Sequence, residues 1–386
     1  MNTGVNIRPD IITWAIQRAG YELQDFIAKF PTVTDWLEDR KQPTVKQLER
    51  FSHKVHLPFG YLFLAEPPIE RLPIPFFRTN QKGRPTENVS VNVYDTIMLM
   101  QQRQGWLRDY LEDNDYESLP FVGKYSNNQN VAEIVADIRR VLGLENEWAS
   151  SFQKLETAID HLTQKIEDAG IIVVFNGVVE NNTSRPIKVD ECRGFVLVDK
   201  TAPFMFVNNA DGKAAQLFTM VHELAHIWTG HSTGFDFRQL LPANDPTEIL
   251  CDKVAAEFLV PEVSFSRIWS ERADIAYIAK YFKVSQIVIA RRALDLGKIN
   301  KTSFFNFYNN YVNQLQYKKE SQVGGGDFYA TKKKRLSLTF AARINQAVKT
   351  NQLLYRDAYK LTSLKGDTYK RFFDKHFLVD ERLPCR

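Results

Sequence analysis

Apolar residues recur at helical spacing along most of the chain, in short segments at the start and longer ones in the middle. Ile11 to Arg18, Leu23 to Phe30, Val33 to Arg40, Val45 to His53 and Phe59 to Phe63 predict five small helices in the first 80 residues. Val93 to Leu111, Val131 to Leu142 and Phe152 to Ala169 predict longer ones, leading to Gly170 and an apolar strand Ile171 to Phe175. Two further β-rich stretches, Phe195 to Val198 and Phe204 to Val207, follow. Next comes a helix marked by Leu217, Val221, Leu224, Ala225 and Trp228, with Gly230 at its end, and then Thr247 to Val260, stopped by Pro261. A helix-turn-helix-like pair follows, Ile275 to Phe282 and Ser285 to Leu296 with Arg291 and Arg292, whose apolar spacing predicts packing first and nucleic-acid contact second. The pattern closes with Phe340 to Val348, Tyr355 to Leu361 and Asp367 to Phe377. Few strands among many helices predict an α+β protein with a small antiparallel sheet.

Divided by these patterns, the chain is expected to hold a helical module at 1–79, a central domain at 80–270, a helical extension at 271–320 and a basic helical module at 321–386. Its 386 residues, 44% hydrophobic, suffice for a large core. Cys192, Cys251 and Cys385 are odd in number and widely spaced, which argues against a disulfide framework and for a reducing compartment. With no apolar signal region or long uncharged run, a cytoplasmic protein with no membrane partner is expected.

The chemistry concentrates in His222-Glu223-Leu224-Ala225-His226. Residues four apart share a helix face, so both imidazoles can meet one metal ion while Glu223 stands close enough to take a proton from water activated there. An open catalytic zinc site needs a third protein donor. An extended motif with histidine at the next turn is out of register, because Thr229 and Ser232 occupy the required positions and Gly230 and His231 are each displaced by one. The following helix offers Glu248 and Asp252 at i and i+4, whereas Glu257 falls near the opposite side. Glu248 is therefore expected as the third ligand and Asp252 as the acceptor of a hydrogen bond from the outer nitrogen of a ligating histidine, His222. Zinc is the expected ion, and Mn²⁺ or Fe²⁺ also suits two histidines and a glutamate. Phe204, Met205, Phe206, Val207 and Asn208 read either as a strand edge that aligns substrate backbone or as an ordinary buried strand.

Several blocks in order, Glu191-Cys192-Arg193-Gly194-Phe195, Ala202 to Asn208, Phe218 to His226, and Glu248 with Cys251 to Pro261, resemble the ImmA/IrrE metallo-endopeptidases of bacteria and phages. The resemblance implies a gluzincin-like zinc peptidase core, with His222, His226 and Glu248 as ligands and Glu223 as general base. It also implies cleavage of an intracellular protein such as a helix-turn-helix repressor, in a stress-response, mobile-element or phage-defence pathway. The order of the N-terminal helices, with Pro43-Thr44 before the fourth, resembles a phage-repressor-like helix-turn-helix module.

Charge qualifies that second resemblance. The net charge of +4 hides an uneven distribution: residues 321–386 carry 14 Lys plus Arg against 6 Asp plus Glu, a balance of +8 that leaves −4 for the rest. Lys332, Lys333, Lys334 and Arg335, just after a joint at Gly324-Gly325-Gly326, are candidate phosphate contacts, or a solvated face. Residues 1–79 have ten basic and nine acidic residues, and the candidate recognition helix presents Asp35, Glu38 and Asp39 with basic groups only at Arg40 and Lys41. Carboxylates there oppose DNA phosphates, which favours a docking module. A second function class remains on the sequence alone: a DNA-binding transcriptional regulator or antitoxin-like protein with a structural or vestigial metal site.

Overall fold

The computed structural model describes residues 4–70, 76–77, 89–235, 245–319 and 333–377. Its contacts divide the chain into two units, Met1–Pro73 with Thr86–Met98, and Ile74–Pro85 with Leu99–Arg386.

In the first unit, α1 (Pro9–Arg18), α2 (Leu23–Lys29), α3 (Thr32–Leu37) and α4 (Val45–Lys54) precede a 3-10 turn, Phe59–Phe63. Ile11, Ile12, Ile16, Phe26, Leu48 and Phe51 form the centre of its core. Thr44 and Gln47 close a capping box that starts α4, each side chain satisfying a backbone N–H of the other residue. Arg40, one of the two cations near α3, pairs with Asp35 and Glu38.

The second unit contains a five-stranded sheet in the order β1 (Phe76–Phe77), β7 (Thr233–Phe235), β5 (Gly194–Leu197), β6 (Phe204–Val207), β2 (Ile172–Phe175). A separate hairpin joins β3 (Val178–Val179) to β4 (Asn182–Pro186). The expected all-antiparallel sheet is corrected by the pairing: β5 runs antiparallel to β6 and β7, but β2 pairs parallel with β6 and β1 parallel with β7. The physical reason lies in the connections, since β2 and β6 are separated by the hairpin and β5, a crossover long enough for parallel pairing.

Around the sheet lie α6 (Val131–Leu142), α7 (Leu155–Asp168), α8 (Lys213–Thr229), α9 (Pro246–Leu259), α10 (Glu262–Glu271), α11 (Ile275–Phe282) and α12 (Gln286–Asp295). Residues 216–229 of α8 are all buried, so this helix is wrapped on every side. Its hydrophobic neighbours include Ile138, Leu162, Val196, Met205, Val254 and Phe258, which belong to one continuous core. Gly230, at φ 82°, ends α8 in the left-handed conformation that glycine adopts without a Cβ clash, and His231 beyond it is exposed.

α5 (Val91–Asp113), α13 (Lys301–Lys319) and the helices Leu338–Lys349, Tyr355–Thr362 and Gly366–Phe377 complete the described elements. No helix among the described residues is long and apolar enough to cross a membrane.

Candidate metal centre

One capped helix start, one buried helix and a close strand place the polar side chains. Asp245 caps α9 by accepting from the backbone N–H groups of Thr247 and Glu248, and Pro246 sits in the first turn, where its missing N–H costs nothing. Glu248 is thus held in the first turn of α9, where the helix dipole favours a carboxylate. Asp252 follows one turn later, and His222 and His226 lie one turn apart on α8.

These residues meet. His222 Nε2 is 3.0 Å from His226 Nε2 and 3.1 Å from Glu248 Oε2, and His226 Nε2 is 3.3 Å from Glu248 Oε1. The three donor groups lie within 4.8 Å of one another and are buried. His222 Nδ1 faces Asp252 Oδ1 at 3.0 Å, so a neutral ring that donates there directs the lone pair of Nε2 toward His226 and Glu248. Glu257 is elsewhere, paired with Arg292, whose Nε also donates to the Val260 carbonyl at 3.1 Å.

The spacing suits a cation. Ligand atoms about 2.0–2.1 Å from a tetrahedral zinc stand about 3.3 Å from one another, close to the three separations here. Two imidazole nitrogens and a carboxylate also form the donor set of an open catalytic site. Glu248 Oε1, His226 Nδ1 and both oxygens of Glu223 are buried without hydrogen-bond partners, an unusual concentration of unsatisfied atoms.

Electrostatics points the same way. Burial resists protonation of His222, but hydrogen bonds and charge from Asp252 and Glu248 outweigh it and push its pKa up to about 10. Burial would raise Glu248, yet the two histidines hold it down at about 2. His226, by contrast, is held below the usual imidazole value, chiefly by burial. Glu223 is pushed up to about 8, chiefly by burial, with His222 opposing and Glu248 adding to the rise.

Gly194, which the hydrophobic pattern does not single out, is required for this geometry. A Cβ there would stand 2.5 Å from Thr219 Cγ2, 2.9 Å from the Phe206 carbonyl oxygen and 3.3 Å from Glu223 Oε1. Only glycine lets β5 approach α8 so closely beside Glu223. A glycine interrupting an apolar strand is the sequence signal for such an approach.

Two other groups of predicted site residues fare differently. Phe204, Met205, Phe206 and Val207 do not form a substrate edge, because β6 is paired with β5 on one side and β2 on the other. Asn208 is buried and its side-chain amide donates to the Ile187 and Cys192 carbonyls. With the backbone hydrogen bonds of β6 shared between two neighbours, no row remains for an added peptide strand. Among the candidate phosphate contacts, Lys332 and the triple glycine lie outside the described residues. Lys333 is exposed, Lys334 donates to Asp160 at 2.7 Å, and Arg335 is half-buried.

Comparison with known families agrees with the location of this centre. The family model of the IrrE N-terminal-like domain, Peptidase_M78, matches residues 166–294, a span that includes the sheet strands β2, β5 and β6 and all four polar residues around His222. The match points to a metallopeptidase of the ImmA/IrrE type. A second model, a domain of unknown function (DUF8813), matches residues 336–375. None of the curated proteins matches the chain.

Proposed function

We propose that the chain is a zinc-dependent endopeptidase with a gluzincin-like core, in which His222, His226 and Glu248 hold the ion and Glu223 is the general base. The observation that carries the proposal is the convergence of three buried donors beside a carboxylate whose two oxygens are unpartnered. A zinc ion bound there would supply Lewis acidity for the scissile carbonyl and lower the pKa of water at the open position. Glu223 accepts the proton of the attacking water on one carboxylate oxygen and returns it to the leaving amine. Asp252 holds the His222 ring by its outer nitrogen and so fixes the direction of the inner one.

The substrate class we infer is a specific intracellular protein, with a helix-turn-helix repressor as the leading candidate on the resemblance of the motif blocks to the ImmA/IrrE endopeptidases. The test is proteomics on cells that make the intact chain or its Glu223→Gln form. A discrete protein fragment present only with the intact chain is the expected result. Equal fragment patterns from the two, with the ion retained in both, would remove Glu223 from its role.

A further inference from the structure

The three C-terminal helices, Leu338–Lys349, Tyr355–Thr362 and Gly366–Phe377, cover nearly the span matched by the family of unknown function, 336–375. Residues 333–377 carry eleven Lys and Arg against three Asp, a surplus of eight positive charges on a chain whose remaining residues sum to −4. Part of that charge is neutralised within the fold: Lys334 pairs with Asp160, and Asp357 is shared by Arg356 at 3.5 Å and Lys360 at 3.6 Å. Burial, and then the charges of Lys375 and Lys333, hold His376 below the usual imidazole value, so the field at the last helix is positive. Like charges crowded on a small surface repel one another, and a bound polyanion relieves that repulsion.

The arrangement of the helices says which polyanion. Three residues, Ser363, Leu364 and Lys365, join the second helix to the third, with Ser363 in the left-handed region at φ 52°, and that is the length of a helix-turn-helix connection. Tyr369, Phe372 and Phe373 of the last helix are buried, and Tyr369 meets Tyr359 of the second helix with ring centres 5.0 Å apart. The opposite side of the last helix is exposed. Thr368, Arg371 and Lys375, at i, i+3 and i+7, form one outward stripe. Asp367 and the half-buried Asp374 lie on the adjoining stripe, with Lys370 between them. Arg356, Lys360 and Lys365, on the second helix and the turn, are exposed as well. The second helix starts without a side-chain cap and with Tyr355 61% exposed, which leaves its first backbone N–H groups open to an anion. In α3, by contrast, Arg40 is already paired with Asp35 and Glu38.

We propose that this C-terminal face is a docking surface for duplex DNA, with the helix Gly366–Phe377 in the major groove. Thr368 and Arg371 are the side chains that reach base edges, and Arg356, Lys360, Lys365, Lys370 and Lys375 contact phosphates. The inference stands apart from the peptidase reading, so Glu223→Gln should bind DNA as the parent does.

Fluorescence anisotropy of the full chain with a labelled duplex of about 30 base pairs, from about 50 to about 200 mM salt, tests this. The logarithm of affinity should fall against the logarithm of salt with a slope of about −4.5, the value for five phosphate contacts. Lys365→Gln, Lys370→Gln and Arg371→Gln combined should weaken binding by about 10-fold or more and make the slope shallower by about 2, because two phosphate contacts are lost. All three side chains are exposed, so the variant should keep the urea midpoint of the parent. Lys46→Gln with Arg50→Gln, which removes exposed cations from α4, should leave binding unchanged. Methyl green, which occupies the major groove, should compete, and netropsin, which occupies the minor groove, should not. Absence of binding at about 50 mM salt, a slope unchanged in the triple variant, or equal weakening by the α4 variant would overturn the proposal. Competition by netropsin alone, or tighter capture by phosphatidylglycerol vesicles or by single-stranded RNA of the same length, would overturn it too.

Discussion

Helix α8 takes part in two buried polar clusters, and they are satisfied to opposite degrees. At its C-terminal end Trp228 Nε1 donates to Asp137 Oδ2 at 3.0 Å, while Asp137 Oδ1 accepts from Lys124 at 2.8 Å and Arg140 at 2.6 Å. Phe121 stacks on Trp228 with ring centres 4.4 Å apart, and the backbone N–H groups of Gly123 and Tyr125 donate to the last-turn carbonyls of Ile227 and Trp228. Every polar atom named there has a partner. One turn away, Glu223, His226 and Glu248 leave four buried atoms without one. A fold that completes one cluster and leaves its neighbour open has kept the second for something it must bind. The complete cluster holds the helix; the open one is the centre proposed to bind the metal.

Substitutions that treat the two clusters alike should therefore have unlike consequences. The largest effect is expected at Glu223. Glu223→Gln should lower cleavage by about 10²–10⁴-fold, the usual worth of a positioned acid–base group, with metal content unchanged. Fragment yield and elemental analysis check the two halves, and near-normal cleavage would dissolve the contrast.

Next in size are the donors and their support. Asp252→Asn should weaken metal binding by about 10–100-fold through the orientation of His222, and Glu248→Ala should weaken it further, because a donor is lost outright. Competition with a chelator ranks the two. The reverse order would mean that Asp252 holds the ion directly.

Asp137→Ala belongs to the other class. Leaving the Trp228 N–H buried and unpaired costs about 1–3 kcal/mol of stability, read from urea unfolding, while metal stoichiometry stays that of the parent. Loss of metal with no loss of stability would show that the two clusters are not separable.

The smallest effect concerns Glu167, which accepts from the Ser337 and Thr339 hydroxyls at 2.6 Å and 3.0 Å and whose pKa burial raises. A raised acid favours the folded state when protonated. Its contribution is complete below the ordinary glutamate value and is lost as pH rises through the elevated one. Glu167→Gln should flatten the decline in urea midpoint as pH rises above about 4. An unchanged pH slope would assign the decline to other groups.

Much of this was legible in the sequence because it is local. Periodicity located α6, α11 and β6 at their observed bounds, and the i, i+4 spacing of His222 with His226 and of Glu248 with Asp252 anticipated which side chains converge. What depends on distant pairing was hidden. The position of β6 inside the sheet follows from partners about thirty residues before it and seven residues before it, and no pattern within Phe204–Val207 distinguishes an edge from an interior strand. α10 and α13 are further helices that the pattern reading does not mark, α10 running from Glu262 to Glu271 and α13 from Lys301 to Lys319. Nothing in the local pattern singles out Asp137 or Arg103 as buried. Their burial is imposed by Trp228 and Leu361, which are 91 and 258 residues away.

Zinc stoichiometry, measured side by side on the intact chain and on Glu248→Ala after dialysis against a weak chelator, bears most directly on the convergence of His222, His226 and Glu248. One zinc per intact chain, with the variant largely emptied, is the predicted outcome. Equal zinc in both, or none in the intact chain after loading, would contradict it.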